Sequence, residues 1–154
     1  MKNPYPVVLN LVNKPVVVIG GGKIAARKVQ SLLAAQARIT VISPTLDTNI
    51  NQSSINWIKR NYQPGDLEGM NLVIACTNDS QVNQKIVKDA TPFQMVNNVS
   101  DKSQSDFYNV AKIENKELLL TVSTKGRSPA IAKKIKQQLL KWLKQNRYFK
   151  EDRK

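Results

Sequence analysis

In Gly20-Gly21-Gly22-Lys23-Ile24-Ala25 residue type and spacing both carry chemical meaning. The run follows the β-branched stretch Val16-Val17-Val18-Ile19 and fits the pattern G-x-G-x-x-A. In that pattern Gly20 allows the tight turn, Gly22 lets backbone approach a pyrophosphate, and Ala25 keeps a following helix close to its strand. A helix opening here offers free N–H groups and a positive dipole end to phosphate. Dinucleotide binding is the expectation, and a tight glycine turn without a ligand is the alternative. A Walker-type phosphate loop is excluded, because its wider glycine spacing before a G-K-[S/T] is not met. About 20 residues further on, such sites normally carry an acid for the ribose 2′-hydroxyl. Here the place reads Ile42-Ser43-Pro44-Thr45, and the first acid is Asp47. No arginine replaces it, so these residues leave NAD and NADP open.

Two further stretches sit where chemistry is expected. Thr77-Asn78-Asp79 follows an apolar run, and helix capping explains it as well as ligand binding does. Asn97-Asn98-Val99-Ser100-Asp101 ends the next apolar run at the same rim. The chain has no His, which removes Ser-His-Asp and Cys-His catalysis and every His-ligated metal site. Proton transfer near neutral pH then falls to carboxylates, Lys, Tyr or the lone Cys76. Asp101 is the best-placed carboxylate to act as a base, against the plainer reading of a solvated loop aspartate. Asp106, nearby and acidic, has no assigned role. Cys76 ends an apolar run and reads as a buried, inert thiol. One Cys also excludes a disulfide framework and a cysteine-rich zinc site, so no metal is expected.

These residues need elements to hold them. The patterning predicts strands over 16–19, 38–42, 55–59, 72–76 and 94–99, with helices over 23–35 and 79–90. Ala25, Val29, Leu32 and Leu33 share one face of the first helix, and Val82, Ile86 and Val87 one face of the second. Strands alternating with helices at this spacing imply a parallel α/β sheet with right-handed crossovers. Beyond Val99 the alternation ends. Residues 100–105 read as loop, 118–122 as one more strand, and Ser128-Pro129 opens a long helix. Ile131, Ile135, Leu139 and Trp142 form one apolar stripe on it, and that stripe needs a partner surface. The tail from Asn146 is expected to fray. The fold class is therefore α/β, a doubly wound parallel sheet followed by a small strand-plus-helix region. The expected division is 1–112 for the nucleotide half and 113–154 for the remainder.

Charge narrows the partners. The 154 residues carry 24 Lys and Arg against 11 Asp and Glu, a net +13. Between Lys125 and Lys154 the net is +9. Such an end suits nucleic acid, an anionic surface or a small polycarboxylate, or is only a solvated helix face. A nucleic-acid module would need a recognition motif or an aromatic stacking platform, and neither is legible, so no nucleic-acid partner is expected. No apolar run approaches the roughly 20 residues that span a bilayer, so no membrane partner is expected either. Residues 1–4 lead into no signal-like stretch, and a cytoplasmic chain is the expectation.

Taken together, the motifs resemble one family. Gly20 through Lys28, GGGKIAARK, resembles the G-G-G-x-[VI]-A-x-R-K run of the precorrin-2 dehydrogenases, which include the N-terminal module of sirohaem synthases. Ala75-Cys76-Thr77-Asn78-Asp79 with Val82-Asn83 is similar to that family's A-[AC]-T-[ND]-[DN] and V-N. Asn98-Val99-Ser100-Asp101 with Asp106-Phe107 is similar to its N-V-x-D…F stretch. Val122 to Ala130, VSTKGRSPA, resembles its [IV]-S-[ST]-x-G-x-S-P-[AV] segment. The four occur in order across residues 7–140; Val110 stands where the family commonly has Pro.

The resemblance implies a Rossmann-type domain followed by a dimerisation region. It implies NAD-dependent oxidation of precorrin-2 to sirohydrochlorin by a homodimer on the route to sirohaem. Some members also insert iron, an activity this short form is not assumed to share. The family's catalytic aspartate falls on Asp101. Its dinucleotide contacts fall on Gly20, Gly21, Gly22, Lys23 and Ile24, on Pro44 and Thr45, and on Thr77. Ser123, Thr124, Lys125, Arg127 and Ser128 are the expected substrate-binding positions, the two cations suiting an anionic tetrapyrrole. The competing reading is an NAD(H)-sensing regulatory domain without catalysis.

Overall fold

The computed structural model describes residues 4–146 and 148. Two compact units emerge, Pro6–Phe107 and a second built from Tyr108 onward.

In the first unit, alternating side chains of apolar strands fill both faces of one sheet. Strand β1, Pro15–Ile19, sends Val16 and Val18 to one face and Val17 and Ile19 to the other, all at most 1% exposed. Burying a side chain of this kind contributes about 1.5–3 kcal/mol relative to exposure. Helix α1, Lys23–Ala34, covers the Val16/Val18 face with Ala25, Ala26, Val29 and Leu32. Strands β2, Arg38–Ile42, and β3, Asn56–Ile58, follow. Strand β4, Leu72–Ala75, leads to helix α2, Ser80–Asp89, which covers the Val17/Ile19 face through Ile86. Strand β5, Met95–Asn98, closes the unit. The order β3-β2-β1-β4-β5 is parallel throughout. The chain therefore leaves β1 toward β2 and later returns to β4 on its other side. That reversal is the topological switch, where the C-terminal ends of β1 and β4 diverge and leave a crevice.

The elements match the sequence expectation to within a residue or two at each end. Leu33 is only partly buried, and Ala26 takes the fuller share of the α1 face. On α2, Val82 and Val87 are half-buried, while Asn83, which the apolar pattern passes over, is completely buried.

The second unit holds one unforeseen strand. Strand β6, Ala111–Glu114, pairs antiparallel with β7, Leu119–Val122, across a turn in which the Asn115 side chain accepts the N–H groups of Glu117 and Leu118. Helix α3, Pro129–Gln145, has Pro at its start and Ser128 as cap, whose Oγ accepts the Ile131 N–H at 3.2 Å. Its packed face is not the expected stripe. Leu139, Leu140 and Leu143 turn toward Ile113, Leu118 and Leu120, and Ala132 is buried, whereas Ile131, Ile135 and Trp142 stay exposed. The helix is apolar on two adjacent faces, centred about 100° apart at 3.6 residues per turn, and Leu139 belongs to both. Beyond Asn146, apart from Tyr148, the expected fraying falls outside the described residues.

Candidate active site

The switch between β1 and β4 opens into a cleft of about 500 Å³, a size suited to a small ligand. Gly20, Gly21, Gly22, Pro44, Thr45 and Thr77 all line it, so these expected contacts converge from three separate loops. Lys23 and Ile24 form the first turn of α1 and lie outside the lining, with Ile24 half exposed.

The three glycines differ in what holds them. Gly20 has a φ of +117°, and a Cβ there would lie 2.5 Å from the Cys76 carbonyl oxygen. Gly21 touches the loop after β2: a Cβ would stand 2.0 Å from the Thr45 oxygen, and Gly21 O accepts the Asp47 N–H at 2.6 Å. Both are glycine because neighbouring backbone comes too close for a side chain. At Gly22 a Cβ would meet nothing within 4 Å, and its φ of −83° is open to any residue. Gly22 also caps α1 without any side-chain hydrogen bond, leaving the first-turn N–H groups uncapped beside the cleft. A bare helix N-terminus behind a glycine that the fold itself does not require fits a closely approaching phosphate.

The remaining walls clarify what the cleft can do. Asp47 is turned to Asn49, whose N–H and side-chain amide it accepts at 3.0 and 2.7 Å, and it lies outside the lining. Ser43, Asn61 and Tyr62, which sequence reasoning did not select, complete the far side. Burial and the hydrogen bond to Asp89 push the Tyr62 phenol well above its ordinary range, so it stays a neutral donor. Burial pushes the Cys76 thiol up to about 12, as an inert cysteine requires.

Asp79 is the cap of α2, its Oδ1 accepting the N–H groups of Gln81 and Val82 at 2.8 and 3.3 Å. Thr77 instead bonds inward to Asn83: its N–H and hydroxyl donate to Asn83 Oδ1 at 3.0 and 2.8 Å. Asp101 follows β5 on the same rim of the sheet and lies outside the cleft lining. Its Oδ1 accepts both the Ser103 hydroxyl and N–H, at 2.6 and 2.8 Å. Those bonds hold the carboxyl below its ordinary range, so Asp101 is ionised at neutral pH and Oδ2 stands outside both. Asp106 is not an idle neighbour. Its Oδ2 accepts the Val96 N–H and its own N–H donates to Val96 O, both at 2.8 Å, so it continues the pairing of β5. A half-buried Lys28 donates to Asn97 Oδ1 at 2.7 Å, and Asn97 donates to Phe107 O at 2.9 Å, which ties α1 to the segment beyond β5.

In the second unit, residues 123–128 form a tight loop before α3. Thr124 Oγ1 accepts the Ser128 N–H and donates to Ser128 O, each at 3.0 Å, and Ser123 Oγ accepts the Lys125 N–H at 3.1 Å. Lys125 and Gly126 both take positive φ, +54° and +76°. The three hydroxyls are thus occupied in shaping the loop, while the Lys125 and Arg127 side chains are exposed.

Comparison with known proteins agrees with this geometry. A family model described as putative NAD(P)-binding matches residues 7–111. The chain is 34% identical to the precorrin-2 dehydrogenase of Bacillus subtilis, over 84% of this chain and 83% of that one. It is 35% identical to the siroheme synthase of Blochmanniella pennsylvanica over 87% of its own length, but spans only 29% of that relative. Among solved structures it superposes on SirC, a precorrin-2 dehydrogenase, with a TM-score of 0.80 at 32% identity, covering 88% of this chain and 69% of that one. With the glycine turn, the switch-point cleft and the Asp101 segment all in place, the chain belongs to the precorrin-2 dehydrogenase family.

Proposed function

We propose that this chain oxidises precorrin-2 to sirohydrochlorin with NAD, the dehydrogenation on the route to sirohaem. The observation that carries the reading is Gly22: a cleft-lining glycine with open space at its Cβ, capping a helix that offers uncapped N–H groups. Gly20–Gly22 with the first turn of α1 would hold the pyrophosphate, and Pro44, Thr45 and Thr77 would line the rest of the dinucleotide. NAD, when bound, supplies the acceptor for the hydride, which takes both electrons of the C–H bond. The proton lost with it passes to the Asp101 carboxylate, already ionised and held by Ser103. Lys125 and Arg127, exposed on their loop, meet the carboxylates of the tetrapyrrole.

The same reading includes a homodimer. Ile131, Ile135 and Trp142 are 54%, 40% and 53% exposed on one side of α3, an apolar strip of the kind that subunit contacts cover. No observation favours a non-catalytic NAD(H) sensor.

Asp101→Asn tests the assignment of the base. Asn is nearly isosteric and cannot take the proton. In an anaerobic assay with precorrin-2 and NAD, kcat should fall about 10²-fold or more, the usual span of a positioned base, with NAD affinity and melting unchanged. Turnover equal to the parent would remove Asp101 from the proton step.

A further inference from the structure

Two buried carboxamides join the cleft to the Asp101 segment, and neither is needed by the helix or strand that carries it. Asn83 is fully buried on α2, whose cap is already supplied by Asp79. Its Oδ1 takes the Thr77 N–H and hydroxyl, and its Nδ2 donates to Thr77 O at 3.1 Å and to Ser100 Oγ at 3.2 Å. The Ser100 hydroxyl passes the connection on, donating to Asn98 Oδ1 at 2.7 Å. Asn98, 1% exposed, also takes the Ser100 and Asp101 N–H groups at 3.0 and 3.3 Å, and donates from Nδ2 to Gln104 at 3.2 Å. A continuous path therefore runs Thr77–Asn83–Ser100–Asn98–Asp101, from a wall of the dinucleotide cleft to the backbone N–H of the residue that carries the carboxylate. Burying an amide is unfavourable unless its donors and acceptors are met, so such a network admits few other arrangements.

We propose that Asn83 and Ser100 are positioning residues that fix Asp101 relative to the bound dinucleotide. The proposal rests on the reading of Asp101 as proton acceptor. Proton and hydride leave one ring in one reaction, so the groups that receive them need a fixed separation. The path supplies it, with Asn83 gripping Thr77 at three points and handing its remaining donor to the Asp101 segment.

Ser100 is the informative residue to change, because it is exposed, whereas truncating the buried Asn83 would leave the Thr77 N–H and carbonyl unmet. Ser100→Ala should lower kcat about tenfold in the precorrin-2 assay with the NAD dissociation constant unchanged, and should lower melting modestly because one N–H of the buried Asn83 amide loses its acceptor. Ser100→Thr, which keeps the hydroxyl, should restore turnover. A residue that acts through Asp101 has nothing left to act on once Asp101 is replaced. Adding Ser100→Ala to Asp101→Asn should therefore cost no further activity. Parental turnover by Ser100→Ala, or the same tenfold loss in the Asp101→Asn background, would overturn the positioning role while leaving the dehydrogenase reading intact. Absence of NAD reduction by the parent chain would overturn both.

Discussion

A Cβ at Gly21 would stand 2.0 Å from the Thr45 carbonyl oxygen, whereas one at Gly22 would meet nothing within 4 Å. Substitution at the two positions should therefore read out different things. Gly22→Asp places a side chain and a negative charge where the pyrophosphate is assigned. Titration calorimetry should show NAD affinity falling at least tenfold with melting preserved, while Gly21→Ala should lower melting because the β2 loop must move. Unchanged NAD affinity in Gly22→Asp would separate the glycine turn from the ligand. The spacing of these glycines was legible because turn, helix start and the proposed phosphate site lie within six residues. The link from Asn83 was not, because its partner Ser100 lies 17 residues away, and Asn98 was read only as part of the stretch that ends in Asp101. The available signal was weak, an Asn beside Val82 on an inward helical face and an Asn pair ending an apolar strand. Asp106 shows the same limit. Its pairing with Val96, ten residues back, is tertiary, and gives a structural role to a residue that the sequence left without one.

Helix α3 carries apolar residues on two faces, and only packing decides which is inward. Leu143, 6% exposed, lies against the β6–β7 pair, while Ile135 faces away from that core. Leu143→Ala should destabilise the second unit by about 2–5 kcal/mol, seen as a lower denaturant midpoint. The parent chain should sediment as the proposed homodimer at micromolar concentration, and Ile135→Glu should leave folding intact and yield the monomer. A dimer that persists in Ile135→Glu would place the subunit contact elsewhere. The β1–β5 strands and their helices could be read from sequence because each is a strong period of two or 3.6 flanked by Gly, Pro or a cap. Strand β6 could not. Ala111-Lys112-Ile113-Glu114 offers one buried side chain and gains its character from pairing with β7.

Most of the net charge, +9 of +13, falls in residues 125–154. If that end attracts a polycarboxylate, raising salt should raise KM more than it lowers kcat, since the screening length falls from about 10 Å at 0.1 M to about 3 Å at 1 M. A KM indifferent to salt would make these cations a solvated face and nothing more. No helix among the described residues is long and apolar enough to cross a membrane. The measurement that bears on the function as a whole is an anaerobic incubation of the full chain with precorrin-2 and NAD, following NADH absorbance and the tetrapyrrole spectrum together. The expected result is one NADH formed for each sirohydrochlorin, with neither appearing when NAD or protein is left out. Sirohydrochlorin forming at the same rate without NAD, or no NADH in the complete mixture, would contradict it.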